Sequence, residues 1–349
     1  MVVKELDEKI VLGDRLKADN LIWISAKAPV FKTYGVFYDE GEKRYLRVKS
    51  EVIKDFDGVF KTLNANTAGG RIRFSTNSPY IALFARQENN IQLNMMTLCA
   101  QSGFDIYKED KYVGTYLPKT NAKNGFCDIV KTDGKMGEYT INFPLFDNVC
   151  ELYIGLKGES EVLPVSPYKN EGKPVVFYGS SITEGAAASR PGNCYTAIFS
   201  RKTGLDYINL GFASKCKGEA EIANYIKGLD MSAFVYCFDH NAKDDEELRR
   251  RHYDFYKLVR VTNKDLPIII VSAPDNPDCL QYNERKEVVF DTYKKAKNNG
   301  DNVYFIDGAE FYGEYAYDAT IDGVHPNDLG FFMIEKKIEE TLSKIKTEI

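Results

Sequence analysis

From residue 175 onward one pattern recurs five times: a short apolar run rich in β-branched and aromatic residues, then a longer stretch with helical spacing. The runs are 175–178, 207–210, 233–237, 268–271 and 303–306. Helical patterns lie around 193–203, 218–229, 244–263 and 282–298. A last one, from about 329, puts Ile334, Ile338, Leu342 and Ile345 on one face, with Asp328 placed to cap its start. Uniformly apolar strands separated by helical crossovers predict an α/β fold, a parallel sheet covered on both faces.

The first half of the chain is built differently. Residues 71–75 alternate polar and apolar, Asn77-Ser78-Pro79 is turn chemistry, and 80–85 resumes a strand. Runs 104–107 and 112–116 flank a polar turn, which predicts a hairpin. Residues 139–143 and 150–156 add two further strands. Many short strands with Gly, Asn and Pro punctuation predict an antiparallel β-sandwich. The polar, turn-rich segment 157–173 marks the junction, giving domains of 1–165 and 172–349. At about 150 residues per domain, two domains also suit the length.

Composition removes several function classes. With 46 basic against 51 acidic residues and a net charge of -5, the chain lacks the basic excess of a nucleic-acid binder. No apolar run approaches the ~20 residues of a membrane span. Residues 1–10 have no apolar core of a signal peptide, so the expectation is a cytoplasmic protein. Seven cysteines at long spacings, with no Cys-x-x-Cys, make neither a disulfide framework nor a zinc site. There is no phosphate-binding loop, no dinucleotide fingerprint and no His-Glu-x-x-His, so no cofactor and no metal are expected.

Ligands of an open α/β sheet sit beyond the carboxyl ends of its strands. The first run ends in Gly179-Ser180-Ser181-Ile182-Thr183-Glu184-Gly185, the second in Gly211-Phe212-Ala213-Ser214, the third in Phe238-Asp239-His240-Asn241. One loop after the fifth comes Asp322-Gly323-Val324-His325-Pro326. That set suits acyl transfer. The Ser181 hydroxyl needs a base, and His325 can be that base. Asp322, three residues earlier, can hold the imidazole in one tautomer. The backbone N–H groups of Ser181 and Ser214 and the side-chain amide of Asn241 can hold a tetrahedral oxyanion.

These blocks, in this order, resemble the SGNH (GDSL-type) hydrolases over about residues 172–349. The resemblance implies a flavodoxin-like three-layer α/β/α domain, with Ser181 as nucleophile, Asp322 and His325 as its partners, and Asn241 in the oxyanion hole. The longer runs, among them Arg190-Pro-Gly-Asn193, Asp239-His-Asn-Ala242 and Asp322-Gly-Val-His-Pro-Asn327, resemble a bacterial branch with an N-terminal β domain. That layout is similar to carbohydrate acetylesterases, in which a jelly-roll-like β-sandwich precedes the hydrolase domain. It implies O-acetylated oligosaccharides, or a small ester, as the substrate. Two residues depart from the family pattern. Ser180 stands where the family has aspartate, and Ser214 where it has the oxyanion glycine. A Cβ at 214 narrows the acyl pocket and would strain a positive φ, which favours a small acyl group. A lipid or thioester acylhydrolase and an acyltransferase use the same machinery; a non-catalytic carbohydrate-binding protein would need a dead site.

Other candidates carry plainer readings. Arg190 could contact substrate at the mouth, and His240 could line or support the site. His252 sits on a helix face as a structural residue, Asp239 braces its loop, and Cys216, between two lysines, is incidental. The aromatic-rich first half suits sandwich packing better than sugar stacking.

Overall fold

The five apolar runs form one parallel sheet: Val175–Gly179, Tyr207–Gly211, Ala233–Cys237, Ile268–Val271 and Val303–Ile306. Its spatial order is second, first, third, fourth, fifth, the flavodoxin order. The computed structural model describes residues 2–3, 18–88, 93–118, 125–170, 172–274 and 280–347. Most of the segment read for a leader, and Cys279, lie outside these residues.

Gly179 pairs with Gly211 on one side and Cys237 on the other, so three strands end level. The order reverses at the first strand, and its carboxyl end is therefore the switch point where a ligand site is expected. Helix Tyr195–Thr203 packs on Asp328–Thr347, while Ala220–Lys227, Asp245–Arg260 and Leu280–Asn298 pack in succession. These are the two helical layers. The apolar stripe of the last helix is buried at Ile334, Ile338, Leu342 and Ile345, as its spacing predicts. Its cap is a correction. Asn327, not Asp328, caps the helix, accepting the Gly330 N–H at 3.2 Å. The Asp328 carboxylate instead receives the Asn193 amide at 2.7 Å.

Besides a small two-stranded sheet, Phe37–Asp39 with Arg44–Leu46, the β-rich half holds two large antiparallel sheets. One runs Val2–Val3, Leu21–Ser25, Glu151–Lys157, Tyr80–Arg86, Phe126–Lys131. The other runs Val162–Leu163, Arg71–Thr76, Gly137–Asn142, Phe104–Lys108, Lys111–Tyr116, with Lys32–Tyr34 also on Arg71–Thr76. Ile81, Leu83 and Ile154 of the first meet Phe74, Phe104 and Ile106 of the second in one core. Its rings pack on one another, Phe31 edge-on to Phe74 and Phe104 edge-on to Phe143. The predicted hairpin is Phe104–Lys108 with Lys111–Tyr116, turning through Glu109 at φ 56°.

Contacts divide the chain into two units that differ from the sequence boundaries in two places. The first unit is Met1–Arg47, Asn64–Pro167 and Ser189–Gly192; the second is Val48–Leu63, Tyr168–Ala188 and Asn193–Ile349. The excursion has a physical basis: Val48, Ile53 and Phe60 are buried in the same apolar core as Phe212, Cys216 and Ile222. No helix among the described residues is long and apolar enough to cross a membrane.

Candidate active site

The first strand ends at Gly179 and turns directly into the short helix Ser181–Glu184. Ser180 is its N-cap, its hydroxyl accepting the Ile182 N–H at 3.3 Å. Serine and aspartate are both good N-caps, so the departure at 180 leaves this turn intact. Small residues let the helix sit on the strand ends. A Cβ on Gly211 would collide with the backbone nitrogen of Glu184, and one on Gly179 with the Thr183 hydroxyl. The buried Asn209 ties the parts together: its amide donates to the Thr183 carbonyl at 2.6 Å and its oxygen accepts the Gly211 N–H at 2.9 Å.

His325 comes from the other end of the domain, on a tight loop. The Ile321 N–H reaches the His325 carbonyl at 3.0 Å, and Gly323 takes φ 83°, which glycine adopts without strain. The loop puts the His325 Nε2 2.9 Å from the Ser181 Oγ. On the far side of the ring, Nδ1 lies 2.8 Å from Asp322 Oδ2. The other Asp322 oxygen accepts the N–H groups of His325 and Val324 at 2.7 and 3.0 Å. Partial burial pushes the Asp322 carboxyl up, but these N–H groups and the ring outweigh it and hold it below the ordinary carboxylate range. An ionised Asp322 accepts the Nδ1–H, which leaves Nε2 to accept the serine proton.

Two of the expected oxyanion donors, Ser214 and Asn241, lie on loops that touch. Ser214 adopts φ 60°, the left-handed conformation expected of the glycine it replaces. On one side of it the Ala213 N–H donates to Glu184 Oε2 at 2.8 Å; on the other the Lys215 N–H donates to the Phe212 carbonyl at 3.1 Å. The Asn241 amide reaches that same carbonyl at 3.3 Å. Asn241 sits in the turn Asp239–Asn241 after the third strand. Asp239 braces this turn by accepting the Ala273 N–H at 2.8 Å.

His240 is in the same turn. Burial pushes its imidazole below its ordinary value; Asp239 opposes this, and positive charge on His325 and Arg285 adds to it. His240 is thus a neutral ring within electrostatic reach of His325. Arg190 belongs to the first unit, where it lies 3.6 Å from Asp105, donates to the Tyr107 hydroxyl at 3.3 Å and covers the Tyr112 ring. His252 is buried, hydrogen-bonded to Thr292 at 2.8 Å and pushed down to about 3 by burial. Cys216 is buried and its thiol raised by burial, so the flanking lysines do not activate it.

Three supporting residues escaped the sequence reading. Glu184 falls inside the first quoted motif and Asn209 inside the second apolar run, but their partners are set by tertiary structure. Arg285 had no signal at all. It is buried, and its guanidinium donates to the carbonyls of Asp239 at 2.9 Å and Ala242 at 3.1 Å.

Comparison with known proteins bears on the family and the fold. Residues 172–343 match the GDSL-like Lipase/Acylhydrolase family, and residues 21–162 match the N-terminus of SGNH-hydrolase-type esterases. No curated protein sequence matches the chain. Among solved structures, a Bacteroides ovatus ATCC 8483 protein described as a GDSL-like lipase is 28% identical, with a TM-score of 0.84, over 94% of this chain and 98% of that one. The salicylyl-acyltransferase SsfX3 of a tetracycline biosynthetic pathway is 18% identical, TM-score 0.78, over 95% and 99%. The acetyl xylan esterase Est2A of the rumen bacterium Butyrivibrio proteoclasticus is 12% identical, TM-score 0.61, over 94% and 99%. The last two share the fold.

Proposed function

Because the chain belongs to the SGNH (GDSL-type) hydrolases and carries the N-terminal domain of SGNH-type esterases, we propose that it is a serine esterase removing O-acetyl groups from carbohydrates, oligosaccharides in particular. The observation that carries this reading is the unbroken path from the Ser181 Oγ through His325 to Asp322, at 2.9 and 2.8 Å. Ser181 attacks the ester carbonyl as His325 Nε2 takes its proton. Asp322 stabilises the imidazolium without itself being protonated. The N–H groups of Ser181 and Ser214 and the amide of Asn241 hold the oxyanion. On collapse, His325 returns the proton to the departing sugar hydroxyl. Water then attacks the acyl-enzyme by the same route and releases the acid.

The acetyl preference is supported by Ser214, whose Cβ narrows the space a glycine would leave. The carbohydrate reading is supported by the shared fold of the acetyl xylan esterase. A second reading, transfer of the acyl group to an alcohol instead of water, is favoured by the likeness to the salicylyl-acyltransferase. Acetate release from a panel of acetylated oligosaccharides, by wild type and Ser181→Ala, tests the first reading. Loss of release in Ser181→Ala is expected; unchanged release would overturn it. Acetylated acceptor in place of free acetate would establish the second. A series of p-nitrophenyl esters tests the acyl size, and a preference for eight carbons or more would point to a lipid or thioester substrate.

A further inference from the structure

Residues 48–63 come from the amino-terminal half of the sequence yet fold into the second unit, against the loop that carries Ser214. Phe60, 2% exposed, stacks on Phe212 with ring centroids 4.5 Å apart and planes 27° from parallel. Phe56 packs on Phe60 from behind at 4.4 Å. Asp57 accepts the Phe60 N–H through one oxygen at 2.8 Å and the Lys215 Nζ through the other at 2.6 Å. Phe212 and Lys215 are the two residues that bracket Ala213 and Ser214. The carbonyl of Phe212 also takes the Asn241 amide and the N–H groups of Lys215 and Cys216. One aromatic ring from segment 48–63 therefore seats the residue on which both outer oxyanion donors depend.

Such a seat is needed because Ser214 is held at φ 60°, a conformation that a residue with a Cβ leaves unless its neighbours are fixed. Glu184 fixes the Ala213 side through its bond to the Ala213 N–H. Phe60, assisted by Asp57, fixes the other. We propose that Phe60 is a positioning residue for the oxyanion hole, with the Asp57–Lys215 pair setting its register, so that segment 48–63 is part of the catalytic apparatus. The inference rests on the esterase reading of Ser181, His325 and Asp322.

The test uses the full chain, with Phe60→Ala, Phe60→Leu and Asp57→Asn beside Ser181→Ala, on p-nitrophenyl acetate. Phe60→Ala is expected to lower kcat about tenfold with KM within twofold, the pattern of an interaction made in the transition state. Phe60→Leu, which restores most of the volume, should recover most of that loss. Asp57→Asn should cost only about twofold, because the ion pair is exposed. The acid limb of the pH–rate profile should stay in place in all three, since the Ser181–His325–Asp322 relay is untouched. Amide exchange in the 209–219 segment should accelerate in Phe60→Ala, while exchange around Asp322–His325 should not change. If Phe60→Ala does not fold, Phe60→Val, which removes the ring but keeps a small branched side chain, carries the same readouts with a loss of a few fold expected. A folded Phe60→Ala or Phe60→Val with wild-type kcat and unchanged exchange at 209–219 would overturn the inference. Activity surviving in Ser181→Ala would instead overturn the esterase reading, and the exchange measurement would still decide whether Phe60 holds the Ser214 loop.

Discussion

At the scale of single residues, the site depends on one carboxylate and one strained serine. Asp322 is ionised and accepts the Nδ1–H of His325. In Asp322→Asn the side-chain amide can donate to Nδ1 instead, which turns the imidazole to the wrong tautomer for taking the serine proton. Steady-state kinetics should show kcat lowered by roughly 10³–10⁴-fold with the fold intact. Ser214→Gly acts in the other direction. Removing a Cβ from a left-handed residue should stabilise the protein by about 1 kcal/mol, read as a higher Tm, and should widen the range of acyl chains accepted. Both predictions concern residues legible in the sequence, because Ser181, Ser214, Asn241, Asp322 and His325 stand in short blocks at strand ends. Arg285 was not legible, because nothing near it in the chain tells an exposed helical arginine from one buried against distant carbonyls.

At the scale of elements, strands with clean alternation or uniform burial were readable, and those without were not. Leu21–Ser25 carries four apolar or aromatic residues in succession, and Phe126–Lys131 has a buried aspartate at its centre. Asp128 is tolerable there because its carboxylate accepts the N–H of its neighbour Ile129 and also that of Leu117, which only the fold brings near. The cap of the last helix shows the same limit. Asn327 and Asp328 are adjacent and both suited to the role, and the distant Asn193 decides between them by engaging Asp328. Helix packing makes a pH prediction. His252, on Asp245–Arg260 and bonded to Thr292, is pushed down to about 3, whereas unfolded it titrates near 6.5. Between those values the unfolded chain binds the extra proton, so this stability is present above pH ~6.5 and is lost as pH falls toward 3, at up to ~1.4 kcal/mol per unit. His252→Asn should flatten the dependence of Tm on pH between about 6.5 and 4. Arg285→Met, which leaves the carbonyls of Asp239 and Ala242 without their buried donors, should cost about 2–4 kcal/mol in urea unfolding.

At the scale of the whole molecule, the change from β-sandwich to strand–helix alternation was visible in the sequence, but the exchange of segments was not. A composition shift marks where one pattern gives way to another. It cannot show that Val48–Leu63 returns to the second unit, since those residues differ little in polarity from their neighbours. The consequence is that residues 168–349 are not a complete catalytic unit. Expressed alone they lack Val48, Ile53 and Phe60, and the core around Phe212 and Ile222 loses one wall. That fragment should show a markedly lower Tm than the same unit in the full chain, or should not be recovered folded.

In the proposed mechanism the hydroxyl of Ser181, activated by His325, becomes the acyl carrier. Acid-quenched reaction with an excess of acetyl ester, followed by peptide mass mapping, reads it directly. One acetyl group is expected on the peptide bearing Ser181 in the wild type and none in His325→Ala or Ser181→Ala. An acetyl group on another residue in the turnover-competent enzyme, or acetate release at the wild-type rate from Ser181→Ala, would contradict it.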